Sequence, residues 1–327
     1  MRVLVTGATG FLGSHIADEL SGAGAQVRCL VRKTSDVSHL ETLPGVELEH
    51  GAVEDPDSVT RAMRGVDAVV HAAGVVKALG PAEFHRVNVE GTRTLVEAAR
   101  RATPRLRRFV HVSSLAAVGP SDDGRPVAAD ARRPVTHYGR SKAAAEDVVR
   151  EAAAEVPTTI LRPPWIYGPR DRESLSLFVS VKRGVLPFTG HGKNTFSVIY
   201  APDAARACVR AIHADVPSGS TYFLEDGGVY GHKRMMEEIE QALGTRAWLR
   251  AGLPMFLTRI AATVSELGGK LRGKPVMLTR DKLHELTAPH WVCDGRDARV
   301  ALGWEPSVDW TEGTRRTAAW YRERGWL

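Results

Sequence analysis

The chain has 327 residues, 43% of them hydrophobic and 25% charged, which suits one large or two modest domains and excludes a disordered or fibrous protein. Three widely separated cysteines, Cys29, Cys208 and Cys293, exclude a disulfide scaffold and predict reduced, buried thiols, no metal site and a cytoplasmic location. The net charge of +6 raises nucleic acid or an anionic surface as partners, but the densest basic run (Arg100, Arg101, Arg105, Arg107, Arg108) falls where a helix should end. Cations complement a helix terminus there, so no nucleic-acid partner is expected.

In chain order, Arg2–Thr6 reads as a short buried strand. Gly7, Gly10 and Gly13 follow at three-residue spacing, and an amphipathic helix runs on through Ile16 and Leu20. A strand that turns through glycines into a helix start offers free backbone N–H groups and the positive helix end to an anion. The spacing and setting predict a dinucleotide-binding turn made by Gly7, Thr9, Gly10, Phe11, Leu12 and Gly13. No leader segment is expected before this first strand.

A second strand, Gln26–Val31, ends at Arg32 and Lys33, where an NAD site usually carries Asp or Glu for the ribose 2′-hydroxyl. A guanidinium there can bind a 2′-phosphate, so NADP is favoured, with NAD possible; the alternative is two exposed basic residues in a loop. Val46–Glu49 is a third strand, followed by Ala52 and Val53 as expected neighbours of the adenine. Asp67–His71 is a fourth, followed by Ala72, Ala73 and Gly74. Such small residues either admit a flat ribose or adenine or serve only helix–sheet packing. A helix is expected over Ala82–Ala102 and a fifth strand over Arg108–Ser113. The β-α-β alternation predicts an α/β fold, a Rossmann-type doubly wound parallel sheet with its ligand at the strands' carboxyl ends.

The fifth strand delivers Ser113 and Ser114. After a Pro-, Asp- and Gly-rich loop, Tyr138-Gly139-Arg140-Ser141-Lys142 opens an Ala-rich helix. Residues four apart share a helix face, so the Lys142 ammonium is expected to lower the Tyr138 pKa and make the phenol a general acid/base. A strand-borne serine could hydrogen-bond the same substrate oxygen; the alternative is an exposed helix pair.

These residues resemble the extended short-chain dehydrogenase/reductases, the NAD(P)-dependent epimerase/dehydratase family. Gly7–Gly13 is similar to its TGxxGxxG motif, Tyr138–Lys142 to YxxxK, and Val110–Gly119 to its "SS…VYG" strand end, which maps the catalytic serine to Ser114. Asn88 matches the family's helix-borne Asn, implied to position Lys142 through water. Leu161–Pro169 resembles the "RPxxVYGP" segment that lines the nicotinamide, which implicates Pro163 and Ile166. The resemblance runs to the C-terminal Ala301–Pro306 and implies a homodimer, with Lys142 also on the ribose.

Departures narrow the expectation. Phe196 stands where nucleotide-sugar members carry a diphosphate-binding Arg, and Leu115 and Ala116 stand where sugar dehydratases carry Asp-Glu. Ala52 replaces a frequent Asp against the adenine. The chain looks more like the branch of 3β-hydroxysteroid dehydrogenases and dihydroflavonol 4-reductases. The expected activity is an NADP(H)-dependent oxidoreductase interconverting a ketone and a secondary alcohol on a relatively apolar small molecule. The alternatives are a nucleotide-sugar epimerase or dehydratase and a non-catalytic dinucleotide-sensing regulator.

Residues 1–165 are expected to form the dinucleotide domain, with 195–215 returning to it, and 166–194 and 216–327 mainly the substrate domain. Helices are expected over Glu173–Gly184, His232–Gly244 and Leu253–Gly268. In the last, Leu253, Phe256, Leu257, Ile260, Val264 and Leu267 recur at helical spacing, as a lid over an apolar substrate or as a core stripe. Arg259 and Glu266 and its short length argue against a membrane span. Trp165, Phe188, Phe196 and Trp291 either line a pocket or fill the core. His71 and His111 read as structural.

Overall fold

The computed structural model describes residues 1–102, 105–188, 194–252 and 255–327. The first half alternates strand and helix: β1 (Arg2–Thr6), α1 (Phe11–Gly22), β2 (Gln26–Val31), β3 (Val46–His50), α2 (Pro56–Met63) and β4 (Ala68–His71). Next come α3 (Pro81–Phe84), a π-helical stretch over His85–Glu90, α4 (Gly91–Arg100), β5 (Arg108–Val112), α5 (His137–Glu151) and β6 (Thr158–Arg162). The helix expected over Ala82–Ala102 is thus interrupted by a π segment, which carries Asn88. The second half holds β7 (Trp165–Tyr167), α6 (Leu175–Lys182), β8 (Val185–Phe188), β9 (Thr195–Phe196), β10 (Val198–Tyr200), α7 (Ala201–His213) and β11 (Ser220–Phe223). It closes with β12 (Tyr230–Gly231), α8 (His232–Leu243), β13 (Leu249–Gly252), α9 (Met255–Leu271), α10 (Arg280–Thr287), β14 (His290–Trp291), α11 (Arg296–Leu302) and α12 (Trp310–Glu323).

Seven strands form one parallel sheet in the order β11-β6-β5-β4-β1-β2-β3. The order reverses at β1, which lies between β2 and β4, and a crevice opens there at the carboxyl ends. Alternate side chains feed two cores. Val3 and Val5 face α1 and α7 with Ile16, Leu20 and Cys208, while Leu4, Val69 and Phe109 face α2, α4 and α5 with Val59, Leu95 and Val149. A third core is built on Tyr167, Phe178, Trp310 and Tyr321 against Met235, Met236 and Ile239 of α8.

Beyond the 195–215 stretch expected to return to the large sheet, Ser220–Phe223 also joins it as the edge strand, paired with β6. Ala298 and Leu302 of α11 and the following Trp304 also pack into the α1/α7 core. Trp165 and Phe196 are edge-to-face at 6.2 Å and pack around the third core, and Trp291 is buried with its indole donating to the Glu285 carbonyl at 3.0 Å. These three fill the core; Leu253 and the Phe188 side chain lie outside the described residues. The three cysteines are free and buried.

Candidate active site

The β1–α1 turn is built by the limits of backbone packing. Gly7 has φ +80°, and a Cβ there would come within 2.6 Å of the Ala73 amide. A Cβ on Gly13 would collide with the Gly7 carbonyl, so α1 can sit this close to the turn only with glycine. Gly10 caps α1 with no side-chain hydrogen bond, and Thr9 and Gly10 are exposed. The first helical amides, Phe11, Leu12 and Gly13, therefore keep their donors for an anion. Ala72 donates its amide to the Thr6 carbonyl at 3.1 Å, which holds Ala72–Gly74 beside the turn. Arg32 and Lys33 are exposed at the carboxyl end of β2. Ala52 is tied to the Ser58 hydroxyl, and Val53 packs against Gly91 of α4. This cradle of glycines, open amides and two cations at the crevice fits a dinucleotide phosphate chain.

A buried polar chain runs beneath it. Thr6 Oγ1 and His71 Nδ1 lie 2.7 Å apart, His71 Nε2 and Thr92 Oγ1 2.9 Å, and Thr92 donates to the Asn88 carbonyl at 2.6 Å. Burial pulls His71 down to about 3 and His111 well below its usual range, with the Lys142 ammonium adding to both. Both rings stay neutral; His71 is hydrogen-bonded at both nitrogens, whereas both His111 nitrogens are buried without a hydrogen-bond partner among the described residues. Asn88 accepts from the Val75 amide at 2.8 Å and donates to Ser141 at 2.9 Å. It therefore joins the Gly74–Val75 loop to the residue before Lys142.

The second part of the site stands where β5 meets α5. Thr136 caps α5 by accepting from the Gly139 amide at 3.1 Å. Asp281 of α10 accepts from the His137 amide at 2.9 Å. A Cβ on Gly139 would strike the Ala116 carbonyl, so α5 lies directly on the short 3-10 turn Leu115–Ala117 that Ser114 caps. The two serines of the strand end diverge. Ser113 donates to Glu146, which is buried and paired with Arg162 at 2.6 and 2.8 Å, whereas Ser114 accepts from the Ala116 amide at 3.1 Å and stands near enough to the Tyr138 phenol to favour its ionised form. Leu115 and Ala116 are buried and offer no acid–base group.

Desolvation pushes the Tyr138 phenol up to about 12; the Ser114 hydroxyl opposes this and the Glu285 carboxylate adds to it. The expected lowering by Lys142 is therefore corrected. The four-residue spacing does put both on one helix, but the buried ammonium donates to the Val112 carbonyl at 2.7 Å and burial dominates the phenol. Lys142 itself is drawn down to about 8 by burial, against the pull of Glu146. Glu285 was not legible in the sequence: no motif marks it, and only the packing of α10 brings it near Tyr138.

Tyr138 opens into a cavity of about 390 Å³, within the range of small-molecule pockets. Its apolar wall includes Val76, Leu79, Phe84 and Met277, and its charged lining sets Lys270, Lys274 and Arg280 beside Glu266 and Asp281. Pro163 is buried, its carbonyl accepting from the Leu115 amide at 2.8 Å, and Ile166 pairs with Ile199 in the β7–β10 ladder. Both stand on the segment that leaves β6.

Comparison with known proteins sets this geometry in context. The model of the NAD dependent epimerase/dehydratase family matches residues 3–224. The chain is 33% identical to the ceramide reductase of Caulobacter vibrioides, over 99% of this chain and 96% of the relative. It is 32% identical to the 2-alkyl-3-oxoalkanoate reductase of Stenotrophomonas maltophilia, over 98% and 99%. Among solved structures, DesIV, a dTDP-glucose 4,6-dehydratase from Streptomyces venezuelae with NAD bound, superposes with a TM-score of 0.81 at 25% identity, covering 100% of this chain and 99% of that one.

Proposed function

The chain belongs to the NAD-dependent epimerase/dehydratase family and is an NAD(P)-dependent enzyme of the short-chain dehydrogenase/reductase type, and on that premise we propose that it reduces a ketone carried on an apolar chain to a secondary alcohol, using NADPH. The observation that carries the reading is Tyr138, its phenol within the influence of the Ser114 hydroxyl and lining a cavity with an apolar wall of Val76, Leu79, Phe84 and Met277. The bound dinucleotide supplies the hydride. Gly7, Thr9, Gly10, Phe11, Leu12 and Gly13 hold its pyrophosphate, Arg32 and Lys33 the 2′-phosphate, and Ala52, Val53, Ala72, Ala73 and Gly74 flank the adenosine. Pro163 and Ile166 flank the nicotinamide, and Lys142 meets its ribose.

With its pKa near 12, Tyr138 is protonated at neutral pH and stands ready to give its proton to the carbonyl oxygen as negative charge builds there. Ser114 donates to the same oxygen and orients it. Asn88 fixes the strand-end loop and Ser141, and so the start of α5 that carries Tyr138 and Lys142. Lys270 and Arg280 already answer Glu266, so it is the Lys274 side chain that suits an anionic end group such as a carboxylate, in line with the oxoalkanoate named for one relative. Phe196 packs on Trp165 and His232, a setting that cannot grip a nucleotide diphosphate as an Arg would. These features favour the branch of hydroxysteroid and dihydroflavonol enzymes over nucleotide-sugar chemistry.

The test is NADPH oxidation with a panel of 3-oxo acids and apolar ketones. Tyr138→Phe should cut turnover by about 10²–10⁴ while NADPH affinity is kept. Full turnover in that variant would overturn the assignment. Tight binding of a nucleotide sugar, with no ketone reduced, would move the chain to the epimerase and dehydratase branch.

A further inference from the structure

The polarity of α9 is inside out. Among its described side chains the two buried positions are the small residues Ala262 and Gly269, seven apart on one face, and a Cβ on Gly269 would lie 2.9 Å from the Lys274 carbonyl. Its large apolar residues face water: Phe256 is 62% exposed, Ile260 57%, Val264 64%, Leu267 56% and Leu271 89%. Their spacing of three and four places them in one stripe along the helix, with Leu257 at its border. The sequence allowed a core stripe or a substrate lid, and among the described residues the stripe does neither. An exposed apolar band of this length marks a surface that meets something apolar.

The charge around the stripe indicates what that is. Residues 256–280 carry Arg259, Lys270, Arg272, Lys274 and Arg280 against the single carboxylate of Glu266. Glu266 is already engaged by Lys270 at 2.8 Å and by Arg280 at 3.5 Å. A second copy is a poor occupant, because a two-fold contact would set this basic flank against itself with no free carboxylate to answer it. Anionic lipid answers both features, with acyl chains for the stripe and phosphates for the cations. No helix among the described residues is long and apolar enough to cross a membrane, so α9 would lie in the interface plane.

We propose that α9 docks this protein on an anionic lipid surface, with Phe256, Ile260, Val264, Leu267 and Leu271 in the acyl boundary and Arg259 and Arg272 at the headgroups. The carboxyl half of the same helix, through Glu266, Gly269 and Lys270, lines the cavity that holds Tyr138. Docking therefore sets that cavity beside the bilayer. The proposal stands on the surface alone and does not depend on the substrate or the cofactor.

Vesicle flotation of the full chain tests it, with phosphatidylcholine alone and with roughly a third phosphatidylglycerol. Binding is expected on the anionic vesicles and should weaken with salt. The triple variant Ile260→Ser, Val264→Ser, Leu267→Ser should lose at least about tenfold in bound fraction, with Tm and NADPH affinity unchanged. Arg259→Glu with Arg272→Glu should lose the preference for anionic vesicles and leaves the apolar stripe in place as an independent check. Absence of vesicle binding by the unaltered protein would overturn the proposal. So would a dimer that the triple variant converts to monomer without change in vesicle binding, which would assign the stripe to contact between copies.

Discussion

Arg32 shows how much of a preference can hang on one side chain. It stands exposed one residue past β2, beside the crevice where the sheet order reverses. A charge-assisted hydrogen bond to a phosphate contributes about 1.5–3 kcal/mol, or roughly 10- to 100-fold in affinity. Arg32→Ala should therefore lower kcat/KM with NADPH by that factor and leave the value with NADH nearly unchanged. Steady-state kinetics with both cofactors checks this, and an equal loss with each would remove Arg32 from the 2′-phosphate site. Lys33 is the neighbour that limits the loss, so the double variant should fall further.

The placing of α5 against the strand-end turn decides whether Ser114 and Tyr138 meet. Three contacts fix it: the Thr136 cap, the reach of Asp281 from α10 to the His137 amide, and the bare backbone of Gly139 against Ala116. Gly139 is helical and conformationally unremarkable; its smallness matters only because a second backbone passes there. Gly139→Ala should push the helix off the turn. Overpacking of this kind costs about 1–3 kcal/mol, read as a lower urea midpoint, and turnover should fall more than NADPH affinity does. The same reasoning applies at Gly13, where α1 meets the Gly7 carbonyl. Arg170 ties elements together in another way: in the left-handed region at φ +71°, it reaches Asp18 at 2.5 Å and His15 at 2.6 Å, pinning the chain after β7 to α1.

Across the whole molecule, buried histidines couple stability to pH. Burial lowers His15 to about 4 and His71 to about 3, and His111 falls well below its usual range. In the unfolded chain each titrates near 6.5, so the unfolded state binds more protons between that value and the folded one. Stability is therefore fully present above pH 6.5 and declines as pH falls, by up to about 1.4 kcal/mol per pH unit for each such histidine. Glu146 acts in the same direction at lower pH, because its pairing with Arg162 and Ser113 outweighs burial and holds its carboxyl below the usual range. Urea midpoints measured from about pH 5 to 7 should rise steadily. A flat profile would mean that one or more of these rings opens to solvent in the folded state.

Local pattern was enough for much of this protein. Strand and helix periods, with glycines at fixed spacing, gave the parallel sheet and the tight glycine turn between β1 and α1, because these depend on neighbours within a few residues. The spacing of Tyr138 and Lys142 placed both on one helix for the same reason. Tertiary structure decided the rest. It sent Ser114 to the phenol and Ser113 to Glu146, turned Lys142 toward the Val112 carbonyl, and brought Glu285 and Asp281 from α10 to the start of α5. It also returned Ser220–Phe223 to the large sheet and turned the apolar stripe of α9 outward. A helical repeat of apolar residues specifies that a helix has two faces. Which face is buried depends on what packs against it, and for α9 that contact is made by Ala262 and Gly269.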